Sequence, residues 1–380
     1  MERIYMDHAA TTPMDRRVAE VMTPVFTDVF GNPSSVHAYG RSARQYLDKA
    51  RRTMAQSINA DEKEIIFTSG GTEADNLAII GTAMANRHKG NHIITTVQEH
   101  HASLHAAQHL EKQGFRVTYL SVNENGIISI DELKHALTDE TIVVSVMFVN
   151  NETGVIQPIE AIAEVLQDHQ AYLHTDAVQA FGLLDIDVKQ VDIDLMTVSA
   201  HKLNGPKGIA FLYVKDGTAL STLQFGGEQE RKRRPGTENV PATVGFQKAV
   251  ELVMQEKMER KQTYQRYKDL FMEQLARNGV NFTVNGNVDQ TIASIVNISF
   301  PGTNVESLLT NFDLDGIAAS SGSACTAGSV EPSHVLAAMY GQEDDRTTNS
   351  IRFSFGSFNT DENVSEAADR VAKIVKRLTK

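Results

Sequence analysis

The run Ile142-Val143-Val144-Ser145-Val146-Met147-Phe148-Val149 has no polar face. A strand with one wet side alternates apolar and polar residues, whereas a run that is apolar throughout suits a strand covered on both faces. Similar runs stand before and after it. Strands are expected at Glu64–Thr68, His92–Thr96, Val117–Val122, Thr141–Val149, Ala171–Thr175, Leu195–Ser199 and Gly208–Val214. Helical patterns alternate with them at Thr72–His88, His101–Gln113, Ile130–Leu137 and Ile159–Asp168. This alternation predicts an α/β fold built on a mostly parallel seven-stranded sheet with helices on both faces.

The pattern changes near Pro241, which opens a strongly polar helical stretch to about Asn278. It reads as a solvated helix bridging two domains. Strands at Ile292–Phe300 and Ser350–Phe355 follow, with helices near Val305–Phe312 and Ser333–Met339 and a last helix from Glu362. We expect a large domain over residues 14–258 and a smaller α+β domain over 1–13 and 259–380, the latter carrying Cys325. With 41% hydrophobic and 22% charged residues in 380, the chain is long enough to bury a large core. A net charge of −12 argues against direct nucleic-acid or membrane-surface binding. No apolar run approaches the roughly 18–20 residues that span a bilayer, and Met1–Asp7 lacks an apolar signal core, so a cytoplasmic protein is expected. One cysteine excludes an intrachain disulfide and a thiolate zinc cage. His100 and His105 lie five apart, not three or four, and no resident metal is expected.

Polar residues gather where strands end. Ile65-Ile66-Phe67-Thr68-Ser69-Gly70-Gly71-Thr72-Glu73 reads as strand, small-residue turn and helix start. Backbone N–H groups at a helix start attract an anion, glycines let it approach, and Thr72 adds a hydroxyl. Thr72 with Asp75 also resembles a capping box whose acid is one carbon short, and the residues alone leave cap and phosphate cradle equal. Val149-Asn150-Asn151-Glu152, His174-Thr175-Asp176-Ala177-Val178-Gln179 and Thr197-Val198-Ser199-Ala200-His201-Lys202 follow three further strands. In open α/β sheets ligands bind beyond the carboxyl ends of the strands. A lone lysine there is usually solvated. An anion cradle, a buried acid and a lysine together suit pyridoxal phosphate, which needs a carboxylate at its ring nitrogen and an amine at its aldehyde carbon.

These residues together resemble the cysteine desulfurase family of the iron–sulfur-cluster and nitrogen-fixation type, in the class V aminotransferase superfamily. The likeness covers nearly the whole chain. It runs from Tyr5-Met6-Asp7-His8-Ala9-Ala10-Thr11-Thr12 through Gly31-Asn32-Pro33-Ser34-Ser35, Thr68–Asn76, Glu99-His100 and Asn150-Asn151-Glu152. It continues to Ser199-Ala200-His201-Lys202, Arg234-Pro235-Gly236-Thr237-Glu238-Asn239, Gly322-Ser323-Ala324-Cys325 and Ile351-Arg352-Phe353-Ser354. The resemblance implies a fold type I pyridoxal-phosphate enzyme that takes sulfur from L-cysteine, releases L-alanine and leaves a persulfide on Cys325. It implies that Lys202 holds the cofactor, and that His100 stacks on the ring and moves protons. Asp176 would pair with the ring nitrogen, Gln179 with the phenolate oxygen, and Asn151 would touch cofactor and substrate. Gly71, Thr72, Ser199 and His201 would hold the phosphate, joined by Thr237 from the partner subunit of a homodimer. Arg352 would clamp the substrate carboxylate. The implied sulfur acceptors are an iron–sulfur scaffold or a tRNA 2-thiolation enzyme, with the Cys325 persulfide at most a transient cluster ligand.

Cys325 sits among small residues from Ala318 to Ser329, with little apolar area to bury it. An exposed, mobile loop is expected rather than a core cysteine. The length between Ser320 and Pro332 resembles the long-loop group of the family. Pro235 and Phe225 depart from the family pattern, which has Ser or Ala and His there, without removing a proposed catalytic group. The run Arg231-Lys232-Arg233-Arg234 reads as a solvated face. The rival activities are a selenocysteine lyase or another class V enzyme, and an idle sulfur-relay subunit, against which the complete cofactor set argues.

Overall fold

The computed structural model describes residues 2–322 and 332–379. Cys325, with the rest of segment 323–331, lies outside the described residues. The strands are β1 (Ile4–Tyr5), β2 (Ile65–Thr68), β3 (His92–Thr96), β4 (Arg116–Leu120), β5 (Thr141–Ser145), β6 (Tyr172–Asp176), β7 (Leu195–Ser199), β8 (Ala210–Val214), β9 (Thr283–Val284), β10 (Ile295–Ser299), β11 (Ile317–Ala318) and β12 (Ser350–Ser354). Seven of them form one sheet in the order β2-β8-β7-β6-β5-β3-β4. All pairings from β7 to β4 are parallel, and β8 alone runs against its neighbours β2 and β7. The mostly parallel sheet read from the alternating runs is therefore the observed one. Every position of β5 is buried, which is why its sequence carries no polar face.

β5 stops four residues short of the expected strand. Beyond Ser145 the chain still bonds β6, through Val146 N to His174 O and Phe148 N to Asp176 O. On the other side Met147 N donates to the Glu99 carboxylate, at 2.9 and 3.1 Å, so a side chain replaces the next ladder bond.

The expected helix Thr72–His88 is broken by a wide π turn at Leu77–Gly81, between helical pieces Gly71–Asn76 and Thr82–Ala85. The polar stretch from Pro241 is a second correction. It forms two helices, Val240–Gln255 and Lys257–Arg277, and neither is a solvated bridge. Phe246, Ala249, Val250 and Val253 of the first are buried in the main core, and the helix packs on Arg16–Asp28 and Ala38–Ser57, two helices the sequence reading passed over. Tyr264, Tyr267, Phe271 and Leu275 of the second lie in another core. The polar run Gln255–Lys261 coincides with the break between them, and this hid the apolar stripes on either side.

That second core lies under the antiparallel sheet β12-β10-β9, where Phe271, Ile298, Phe300, Phe312, Phe353 and Val371 meet. β1 pairs in parallel with β11, and Ile4 and Met6 join the same core, so the N-terminal segment returns beside residues more than 300 positions away. Among the described residues no helix is long and apolar enough to cross a membrane.

Candidate active site

The six co-directed strands end on one side of the sheet, and β2, β3, β5, β6 and β7 deliver polar residues there. A cavity of about 210 Å³ lies at these ends. Its wall includes Gly71, Thr72, His100, Asn151, Asp176, Gln179, Ser199, His201, Lys202 and Arg352, all picked out from the sequence. Thr237 is exposed and is not part of this wall.

One end of the cavity is built for an anion. The helix after β2 starts at Gly71, with Gly70 as its cap and no capping side chain. The capping box suggested by Thr72 and Asp75 does not form, because Thr72 already lies inside the helix. Glu73 caps the turn instead, accepting from Ser69 N at 2.9 Å and from the Ser69 hydroxyl. Thr72 is left to the cavity. A Cβ built on Gly71 would lie 3.5 Å from Val178 and 3.9 Å from Ser199, both wall residues, so a longer side chain would fill the cradle. His201 Nδ1 lies 3.1 Å from the Thr11 hydroxyl. Burial, then the Lys202 charge, lowers its pKa to about 4, so the ring stays neutral.

The same wall carries acids. Asp176 closes β6 and accepts from Val178 N at 2.9 Å. Burial raises its pKa to about 6, against the pull of that N–H and of Lys202. A carboxylate so placed is held ionised by a cation beside it, such as a protonated ring nitrogen. Beneath it His174 bridges the hydroxyls of Ser145, at 2.9 Å, and Thr197, at 3.3 Å, and lies 3.6 Å from Asp75. Burial keeps His174 neutral, with a pKa of about 3, and pushes Asp75 well above the usual carboxylate range, with Asp176 adding to the effect.

Lys202 stands on the tight turn Ala200–Lys202 that follows β7. Its Nζ donates to Ala9 O and, at 2.8 Å, to Ala10 O, and Gln179 also donates to Ala9 O, at 3.0 Å. His100 caps helix His101–Lys112, its Nδ1 accepting from Ala102 N at 3.2 Å. Burial, then Lys202, lowers the His100 pKa to about 4, so the neutral ring carries its proton on Nε2. Arg352 is 1% exposed on β12, donating to Asp7 Oδ1 at 2.8 Å and Asn151 O at 2.9 Å. Its Nε has no partner among the described residues, which leaves donors for a carboxylate entering the cavity.

The aminotransferase class-V family matches residues 4–366 of this chain. An IscS protein of Bacillus subtilis (strain 168) is 59% identical over 379 residues, 100% of either chain. The cysteine desulfurase IscS of Methanosarcina thermophila is 48% identical across 99% of this chain and 92% of its own. A solved NifS-like protein superposes with a TM-score of 0.92 at 31% identity, covering 99% of this chain and 100% of its own. The chain belongs to the class-V aminotransferase family, among the cysteine desulfurases. It is a pyridoxal-phosphate-dependent enzyme, and the cavity has the donor set that this cofactor needs.

The sequence reading of this desulfurase gave no role to Asp7, Glu99 or Glu152. Asp7 joins Arg352 to Ser320, whose hydroxyl donates to Asp7 Oδ2 at 2.7 Å. Glu152 is fully buried and accepts from the Ser333 hydroxyl at 2.5 Å. A Cβ on Gly322 would lie 3.7 Å from both Glu152 oxygens. All three acids stood in motifs shared with the family, but only their partners, distant in sequence, reveal what they do.

Proposed function

We propose that this desulfurase holds pyridoxal phosphate in the 210 Å³ cavity and moves the sulfur of L-cysteine onto Cys325, leaving L-alanine. When bound, the cofactor supplies an electron sink for charge developing at the substrate Cα. Lys202 Nζ would hold the cofactor at its aldehyde carbon, and Lys202 or neutral His100 would move the substrate Cα proton. Ionised Asp176 would keep a proton on the ring nitrogen, and Gln179 and Asn151 would fix the ring. Gly71, Thr72, Ser199 and His201 bind the phosphate. Arg352, pre-set by Asp7 and the Asn151 carbonyl, orients the substrate carboxylate. The Cys325 thiolate attacks the substrate sulfur: the S–S bond forms, the Cβ–S bond breaks, and its electron pair stays with the carbon skeleton, which is protonated and leaves as alanine.

The observation that supports a role for Cys325 is where the described residues on either side of it lie. On one side Gly322 stands where an added Cβ would reach Glu152, the neighbour of wall residue Asn151; on the other Ser333 bonds Glu152, and Ser320 is tied through Asp7 to Arg352. In this reading residues 1–13 and 259–380 form the smaller unit, which brings Arg352 and the Cys325 segment to the larger one, 14–258. Thr237 serves the second site of a homodimer. The exposed Phe30 and Tyr39 rings, 5.0 Å apart, offer apolar area for that contact. Phe30 follows the first and Tyr39 lies in the first turn of the second of the two helices whose Val25 and Ala43 pack on Val240, three residues from Thr237. The enzyme works in the cytoplasm and passes sulfur to an iron–sulfur scaffold or a tRNA 2-thiolation enzyme.

Cys325→Ser is expected to keep the bound-cofactor absorbance and lose sulfide release from cysteine, while Lys202→Ala loses that absorbance. Full sulfide release by Cys325→Ser with a thiol reductant present would remove Cys325 from the mechanism.

A further inference from the structure

The basic run after Glu230 is not simply a solvated face. Glu230, Arg231 and Lys232 have φ of 46°, 58° and 67°. Non-glycine residues visit this left-handed region singly, and three in a row must be held there by their surroundings. The holder is Glu230. Its side chain is 3% exposed and pairs with Arg51, itself 7% exposed, through two bonds of 2.8 and 2.6 Å. Glu230 Oε2 also accepts from Phe67 N at 2.9 Å, and Arg51 donates to Ile65 O at 2.6 Å. The turn is thus fastened to β2.

Four residues later the same turn is fastened at the other end of β2. Arg234 donates to Glu73 from Nε at 2.7 Å and from Nη2 at 3.2 Å. Glu73 accepts from Ser69 N, at the start of the cradle that leads to Gly71 and Thr72. A buried ion pair adds little net stability over an apolar replacement of the same shape, because both ions lose their hydration. The Arg51–Glu230 pair fixes where the turn lies, and on that turn Arg234 bonds Glu73, which in turn bonds the cradle backbone.

We propose that Glu230 and Arg234 are positioning residues for the cofactor phosphate, acting through Glu73 on the Ser69–Thr72 turn. This rests on the reading above, in which that turn binds the phosphate of pyridoxal phosphate. In the dimer of that reading the strained turn also sets Thr237, three residues beyond Arg234, for the partner's site.

The test uses full-length protein stripped of cofactor and titrated with pyridoxal phosphate or with pyridoxal, which lacks the phosphate. Glu230→Gln and Arg234→Met are expected to weaken pyridoxal phosphate binding by about tenfold and leave pyridoxal binding unchanged. Arg234→Lys, which keeps the charge and loses the fork, should fall between. If Glu230→Gln does not fold, the two Arg234 variants decide. Equal losses for the two ligands, or no loss for either, overturn the proposal. A wild-type protein that binds both ligands equally well instead overturns the phosphate reading on which it rests.

Discussion

Replacing Glu99 by Gln isolates the charge state of one buried acid. Glu99 is 1% exposed and accepts from Met147 N at 2.9 and 3.1 Å and from the Thr96 hydroxyl at 2.8 Å. Burial raises its pKa from 4.5 to about 8, with those hydrogen bonds pulling back and Asp176 adding a little. The unfolded chain therefore releases the Glu99 proton above pH 4.5, while the folded protein keeps it until near pH 8. The stability this group supplies is complete below the unfolded value and is lost as pH rises through the folded one. Between pH 6 and pH 9 the loss comes to about 3 kcal/mol. Gln cannot titrate and mimics the neutral acid, at the cost of one extra N–H needing an acceptor, about 1 kcal/mol. Urea unfolding of cofactor-free wild type and Glu99→Gln at pH 6 and pH 9 measures the difference, since the other ionisations are common to both proteins. Wild type has already lost about 2 kcal/mol by pH 6, so the variant should be more stable than wild type by about 1 kcal/mol at pH 6 and by about 4 kcal/mol at pH 9. A gap between the two proteins that is the same at both pH values would show that Glu99 does not change charge in this range.

Asp176→Asn should still bind the cofactor but release sulfide at least about a hundredfold more slowly, because an amide cannot hold a proton on the ring nitrogen by charge. Steady-state rates check this, and an unchanged kcat would remove Asp176 from that role. Arg352→Lys should raise KM for cysteine by about tenfold with a smaller effect on kcat, since the fork that Asp7 and Asn151 pre-orient is lost. An unchanged KM would place the substrate carboxylate elsewhere.

Much of the cavity was legible before any coordinates. The acid, the lysine and the small-residue turn stand at the ends of apolar runs, and strand ends are where an open α/β sheet collects its ligands. Where local reading went wrong, a packed neighbour had taken a partner that the sequence seemed to offer elsewhere. Thr72 and Asp75 have nearly the spacing of a cap, yet Glu73 caps the turn and Asp75 turns inward toward His174. The run through Val149 promised four more residues of strand, but Glu99 claimed the Met147 N–H. The polar residues around Glu256 suggested one wet helix, and the chain instead breaks there so that two helices bury stripes in two different cores.

Burial on both faces of the sheet, the order of its strands in the chain and the chemistry at their ends are written in residue type and spacing, because they depend on period and composition over a few residues. The Asp7–Arg352 pair, the Arg51–Glu230 pair beneath the strained turn and the Glu152–Ser333 bond are not. Each joins charged or polar groups far apart in the sequence, and which donor meets which acceptor is settled only when whole elements pack and water is excluded between them.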